Sequence, residues 1–145
     1  MAEQHVNSYY AATVNDSTRY PRLEDQTTAD ICVVGGGFSG ISSALTLAER
    51  GYSVVLLEAN RIGWGASGRN GGQVIFGYGC EQPKIAALVG MEASRRLFDW
   101  SMEGVQLVRE RIATHGIDAH WRDGHAHVAI KPRHIDELKA WQHDL

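Results

Sequence analysis

Two short, unbroken apolar runs mark the first half of the chain. Residues 31–34 read ICVV and residues 54–57 read VVLL, and the runs stop at Gly35 and at Glu58. Apolar runs of this length are typical of strands that are buried on both faces of a parallel sheet. The pattern therefore predicts two strands, the first of them central in its sheet, with Cys32 packed inside as a small apolar side chain.

The residues between these runs have a helical period. From residue 39 to residue 50, apolar side chains recur three and four positions apart, and Gly51 follows where a glycine commonly ends a helix. Strand, helix and strand together occupy residues 30–58, which is the length of one βαβ unit. The predicted fold class is therefore α/β, with a Rossmann-like βαβ unit.

The second half of the chain is mainly helical in pattern. A short helix is predicted at 84–90, a long amphipathic helix at 92–115 and a third helix at 134–143. Residues 124–130 instead alternate between polar and apolar positions, which predicts a strand with one buried face. His125 and His127 share a face of that strand, but no third ligand accompanies them, so we expect no metal site.

Length and charge narrow the possible roles. A chain of 145 residues supports one globular domain, but a single βαβ unit needs neighbouring strands and few are offered, so we expect the front part of a longer protein. The net charge of −3 gives no basic excess for nucleic acid. Residues 31–48 carry no charge, but their glycines and serines favour a strand, a turn and a helix start over a membrane span. The start has no secretory pattern, and two distant cysteines fit a reduced, cytoplasmic setting.

A nucleotide-binding motif lies between the first strand and the helix. Gly35, Gly37 and Gly40 match GxGxxG, and Glu58 follows Gly40 by 18 residues at the end of the second strand. The glycines allow a tight turn and close approach of a pyrophosphate, and the acid can accept hydrogen bonds from ribose hydroxyls while repelling a 2′-phosphate. The alternative is an ordinary strand-to-helix turn with a solvated acid. The motif predicts a cofactor that contains ADP, and both FAD and NAD satisfy it.

A glycine-rich stretch after the acid, WGASGRNGGQ at residues 64–73, bears on that choice. Together with GGGFSGISSALTLAERGY and LLEANRIGWGASGRNGGQ, it resembles the amino-terminal end of the FAD-dependent amine and amino-acid oxidoreductases of the D-amino-acid oxidase type. A mobile linker is the alternative, but flexible linkers are rich in serine and do not carry tryptophan, arginine and asparagine in this company. The resemblance implies FAD as the cofactor.

The resemblance also implies roles for individual residues. The pyrophosphate would be contacted by Gly35, Gly37, Phe38 and Ser39, next to Gly40 of the motif. The adenosine ribose would be held by Glu58, with Ala59 and Arg61 beside it. The ribityl chain and one side of the isoalloxazine would be lined by Gly65, Ala66, Ser67, Arg69, Asn70, Gly71, Gly72 and Gln73. Arg69 would place a positive charge near the ring, unless it is simply a surface arginine.

The implied organisation has three parts: an extended lead-in at 1–29, an FAD-binding βαβ unit and flavin loop at 30–80, and a helical segment with the incomplete start of a substrate domain at 81–145. The implied reaction is oxidation of a small amine by hydride transfer to flavin, with dioxygen or another acceptor reoxidising it. Related oxidases of glycine, sarcosine or D-amino acids, and a nucleotide-binding fragment without catalysis, are the alternatives. No catalytic residue is identified, and Cys80 lacks a partner motif for flavin attachment.

Overall fold

The computed structural model describes residues 7–16 and 18–144, which fall into two compact units divided between Gln73 and Val74. The first unit contains helix α1 (Tyr9–Ala12), strand β1 (Ile31–Val34), helix α2 (Phe38–Glu49), strand β2 (Val54–Leu57) and a 3₁₀ helix (Ala66–Gly68). The second contains helices α3 (Gln82–Val89), α4 (Met91–Thr114) and α5 (Arg133–Asp144).

The first unit is built on the predicted βαβ motif. β1 and β2 pair in parallel, with Ile31 opposite Val54 and Val34 opposite Leu57, and α2 packs against both strands. α2 begins and ends within one residue of the predicted bounds, and Gly51 has the left-handed φ of +89° that a helix-ending glycine adopts. The α/β fold class is confirmed.

Three reciprocal hydrogen bonds between Asp30 and Ser53 join the amino ends of the two strands. The amide of Asp30 donates to Ser53 Oγ at 2.9 Å, while the amide and the hydroxyl of Ser53 both donate to Asp30 Oδ2, at 2.9 and 2.7 Å. These hydrogen bonds to its carboxylate, from the Ser53 hydroxyl first and the Ser53 amide second, lower the pKa of Asp30. The pair aligns β1 with β2 before their ladder begins.

The prediction that β1 is buried on both faces is wrong for this chain. Only alternate residues of β1 are covered, Cys32 is exposed, and Val34 is 82% exposed. The described residues form a sheet of two strands, and α2 packs against both of them. A parallel strand is buried on both faces only where other elements pack on both of them. The apolar run indicates that such packing is needed, but it does not show which elements provide it.

The lead-in contains one helical turn that its polar pattern does not predict. Ser8 caps α1 by accepting a hydrogen bond from the amide of Ala11 at 3.2 Å. Between residues 13 and 29, the described part of the lead-in has neither helix nor strand.

The second unit has its core between α3 and α4. Gly90, with φ +85°, separates the two helices, and the Gln82 side chain donates to the carbonyl and to Oγ of Ser94, at 2.7 and 2.8 Å. Ser94 is 1% exposed and Ile85 is 7% exposed. The three helices predicted for this half of the chain are all present as α3, α4 and α5, and their ends differ from the predicted ones by one or two residues.

The strand predicted at 124–130 does not form. The described residues of this segment have no strand beside them, and Val128 and Ile130 are 71% and 81% exposed. A period of two is stable as a strand only where a neighbouring strand accepts its backbone hydrogen bonds. The uncharged stretch at 31–48 is divided between β1, a turn and α2, and no helix within the described residues is long and apolar enough to cross a bilayer.

Candidate functional site

A tight glycine turn joins β1 to α2. Its first residue, Gly35, donates to the carbonyl of Leu57 at 2.7 Å and has φ +105°, which favours glycine. Gly36 is buried, and its carbonyl accepts a hydrogen bond from the amide of Gly63 at 2.9 Å. The turn is thus held by β2 on one side and by the loop after β2 on the other.

The other two motif glycines lie in close contacts, with backbone at Gly40 and with a serine side chain at Gly37. A Cβ atom on Gly40 would lie 1.9 Å from the carbonyl oxygen of Gly35, and one on Gly37 would lie 2.9 Å from Ser67 Oγ. The first contact is between backbones, so α2 starts directly against the turn. The turn therefore presents the amino end of α2, where the first N–H groups have no partner inside the helix and attract anions.

Glu58 lies against the glycine turn. Its Oε2 accepts the amide of Gly36 at 2.6 Å and its Oε1 accepts the amide of Asn60 at 2.9 Å. These two bonds, that of Gly36 first, lower the pKa of Glu58 despite its partial burial. A carboxylate has about four acceptor positions, so the charged group keeps capacity for two ribose hydroxyls.

The loop after β2 folds back onto the same turn. Ser67, in the 3₁₀ helix, accepts a hydrogen bond from the amide of Phe38, the first residue of α2, at 3.0 Å. The loop itself is compact, because a Cβ on Gly68 would lie 2.1 Å from the carbonyl oxygen of Gly63. The structure therefore brings together the two sequence blocks that carry the resemblance, at residues separated by 29 positions.

The remaining predicted residues of the loop are placed by local contacts. Arg69 donates from Nε to the carbonyl of Gly65 at 3.2 Å, and its guanidinium carbon lies 5.6 Å from the centre of the Trp64 ring. Asn70 donates to the carbonyls of Ala66 and Ser67, at 3.2 and 2.9 Å.

The last three residues of the stretch, 71–73, are held by contacts with Asn70 and with one another. The amide of Gly72 donates to Asn70 Oδ1 at 2.9 Å, and Gly72 has φ +71°. The Gln73 side chain lies over Gly71, where a Cβ would come within 2.6 Å of its Oε1. This part of the loop is therefore ordered by its own polar contacts, as an asparagine-based turn rather than a flexible linker.

Glu58, Ala59 and Arg61 all line an open cavity of about 980 Å³. Ser39, the second residue of α2, is exposed. Gly36, Asn60 and Gly63 contribute the contacts described above, and the motif did not single them out. Gly36 is the one of these that could have been found, since it lies inside the glycine run.

In the second unit, His125 and His127 meet without the predicted strand. Their Nε2 atoms are 2.9 Å apart and their rings are edge to face, with His127 also against Trp141. Within the described part of the chain, no three His, Cys, Asp or Glu side chains group as a metal site would need. Cys80 is a free, exposed thiol.

A βαβ unit with a glycine turn, a charged acid at the end of β2 and a helix amino end together define a dinucleotide-binding domain. The chain belongs to the DAO family of FAD-dependent oxidoreductases, whose family model matches residues 30–145. The resemblance and the FAD cofactor predicted from the sequence are therefore confirmed.

Several curated oxidoreductases are similar to this chain in sequence. The chain is 45% identical to the gamma-glutamylputrescine oxidoreductase of Escherichia coli and 40% identical to the probable oxidoreductase OrdL of Haemophilus influenzae, in each case over 94% of this chain and 32% of the relative. It is 35% identical to the probable oxidoreductase OrdL of Rhizobium meliloti, over 86% of this chain and 29% of the relative. No solved structure matches the chain significantly. The chain spans about a third of the length of these curated relatives.

Proposed function

We propose that this chain supplies the ADP-binding part and a flavin-facing loop of an enzyme that oxidises a small amine, with glutamylated putrescine as its substrate. The observation that carries the proposal is the convergence of Glu58 and Ser67 on one glycine turn. An acid for the ribose and a hydroxyl at a helix amino end lie on the two sides of the position where phosphates bind in dinucleotide folds.

The phosphate end of the site rests on Gly35, Gly37, Phe38, Ser39 and Gly40. The amino end of α2 supplies backbone N–H groups, and Ser67 Oγ already satisfies that of Phe38. A bound pyrophosphate would accept from the same group of donors, and the Ser67 hydroxyl can donate to it in turn. The close packing at Gly40 supports this role, because the backbone contact with Gly35 holds the amino end of α2 directly against the turn.

The ribose end rests on Glu58, with Ala59 and Arg61 beside it. Glu58 is charged near neutral pH, as an ordinary glutamate is, and the lowering of its pKa extends the charged range to more acid pH. The charged carboxylate accepts hydrogen bonds from a 2′-hydroxyl and repels a 2′-phosphate. FAD and NAD meet this condition and NADP does not. Membership of an FAD-dependent family decides between the first two.

The loop at 65–73 is assigned to the ribityl chain and the isoalloxazine. Arg69 is steadied by the Gly65 carbonyl and the Trp64 ring, so its charge occupies a defined place in the loop. A fixed positive charge beside a flavin stabilises its anionic reduced form. This assignment rests on the family resemblance together with the ordered loop.

The substrate assignment rests on the relatives. Bound FAD would supply the hydride acceptor for the carbon next to the substrate amine, and the imine product would hydrolyse to an aldehyde. The 45% identity to a gamma-glutamylputrescine oxidoreductase, over 94% of this chain, supports a glutamylated diamine as the substrate. Dioxygen or another acceptor takes the electrons, and the two free cysteines are consistent with the cytoplasmic location that the sequence predicts.

Anaerobic mixing of the native, FAD-loaded protein with candidate substrates tests the proposal. The oxidised protein is mixed with glutamylated putrescine, sarcosine or D-alanine, and the visible flavin absorbance is recorded. We expect glutamylated putrescine to bleach the flavin fastest. Bleaching by sarcosine or D-alanine alone would assign the chain to another oxidase of the group, and bleaching by none would leave a nucleotide-binding function without catalysis.

A further inference from the structure

The lead-in segment at residues 18–23 lines the same cavity as the residues that follow Glu58. The cavity belongs wholly to the first unit and measures about 980 Å³. Part of its lining comes from residues 58–62 and from the carboxyl end of β2, and another part comes from residues 18–23. Ligand pockets commonly have volumes of about 300–1,000 Å³, so there is room for a group as large as a nucleoside.

The position of Glu58 orients this cavity relative to the glycine turn. Glu58 bonds the amide of Gly36 in the turn and also lines the cavity. In a dinucleotide the phosphate, the ribose and the base follow one another in a line. If the phosphates lie at the turn and the ribose at Glu58, as in the proposed function on which this inference rests, the base lies on the cavity side.

The cavity lining suits a purine base. Ile41 and Leu56 contribute apolar surface, while Arg19, Tyr20 and Arg61 contribute planar groups. Guanidinium groups and aromatic rings stack on the flat faces of bases, and such stacking tolerates the polar edges that a purine keeps towards water. Tyr20 is 74% exposed, so its ring is accessible to a ligand.

The lead-in is also connected electrostatically to the residues after Glu58. Asp16 accepts hydrogen bonds from the side chain and the amide of Thr18, and these bonds lower its pKa. The charge of Arg61 lowers the pKa of Asp16 further, which places Arg61 within electrostatic reach of the lead-in. A local turn between Asp16 and Thr18 thus precedes the rest of the segment, and Thr18 and Arg61 line the same cavity.

We propose that residues 18–23 form an outer wall of the adenine subsite of FAD, with Tyr20 stacking on the base. The segment precedes the family match, which begins at residue 30, so this wall is an addition to the matched domain. Tyr20 acts on affinity for the adenosine half of the cofactor and has no part in flavin chemistry.

Binding of ADP and of FAD to Tyr20 variants tests the proposal. The apoprotein is prepared from the protein as the cell makes it, FAD binding is followed by flavin fluorescence, and ADP binding is measured by competition. Tyr20→Ala should weaken the binding of FAD and of ADP by the same factor, about 5- to 150-fold for loss of one stacked base. Tyr20→Phe keeps the ring and should bind both ligands nearly as the wild type does.

Tyr52→Ala is the matched control, since Tyr52 is 50% exposed in the same unit and does not line the cavity. Unchanged ADP affinity in Tyr20→Ala would overturn the proposal, as would an equal loss in Tyr52→Ala. Failure of the wild type to bind FAD at all would remove the proposed function as well. Wild-type FAD binding with no effect of Tyr20 would remove only the wall.

Discussion

Gly40 is the position where a single methyl group should disturb the glycine turn most. In a Gly40→Ala variant, the new Cβ would lie 1.9 Å from the carbonyl oxygen and 3.0 Å from the carbonyl carbon of Gly35, and 3.5 Å from Val33 Cγ1. The first two are backbone atoms of a turn already bonded to β2. No rotamer change relieves them, so the start of α2 must move away from β1.

Two opposing effects set the magnitude. Overpacking of this kind costs about 1–3 kcal/mol, and an obstacle made of backbone favours the upper part of that range. Replacement of a helical glycine by alanine returns up to about 1 kcal/mol. We expect a net loss of about 2 kcal/mol in the free energy of unfolding, which for a unit of this size lowers Tm by roughly 8–16 °C.

Thermal unfolding followed by circular dichroism measures this effect. Gly104→Ala is the control for the chemical change, because Gly104 lies inside α4 with no atom within 4 Å of its added Cβ, and it should be neutral or stabilising. Ser43→Ala is the control within α2, at an exposed position. A Gly40→Ala protein that melts at or above the wild-type temperature would refute the close contact between α2 and the turn.

Three further predictions follow from the side-chain contacts. Ser67→Ala removes the acceptor of the first amide of α2, so it should lower the unfolding free energy by about 1 kcal/mol in urea titrations and weaken FAD binding, whereas unchanged values would contradict the contact. The pKa of Glu58 is lowered in the folded state, so the stabilisation by the Glu58 carboxylate is present above the usual glutamate pKa of about 4.3 and is lost as the pH falls through the folded pKa. The difference in Tm between the wild type and Glu58→Gln should therefore close over that acid range. A constant difference from pH 7 to pH 3 would argue against the hydrogen bonds of Glu58. Gln82→Leu leaves the buried polar atoms of Ser94 without their donor and should cost about 1–3 kcal/mol in chemical denaturation, while Gln106→Leu on the exposed face of α4 should be nearly neutral.

The sequence predicted those elements whose order depends on local pattern. The apolar runs and the helical period place β1, α2 and β2 within one residue, because each periodicity is uninterrupted and Gly51 ends the helix. The segment at 124–130 has an equally regular period, but a strand depends on a partner, and a pattern in one segment carries no information about a partner elsewhere. The exposure of Val34 has the same origin, since burial depends on elements beyond the strand itself.

In the candidate site, too, local patterns could be predicted from the sequence and contacts between distant residues could not. The proximity of Glu58 to the glycine turn could be predicted, because the spacing of the two matches the dinucleotide-binding pattern. The hydrogen bond from Phe38 to Ser67 spans 29 residues, and no periodicity connects its two ends. The lead-in residues near the cavity carry an aromatic ring between arginines, and only the folded chain shows that they lie beside residues 58–62.

We propose that the glycine turn, Glu58 and the loop at 65–73 form one FAD site. Equilibrium dialysis of the apoprotein with FAD, followed by competition with ADP and with NADP, tests it most directly. We expect one FAD to be retained per chain, ADP to displace it and NADP to leave it in place, because Glu58 repels a 2′-phosphate. Retention of NADP without retention of FAD would contradict the claim.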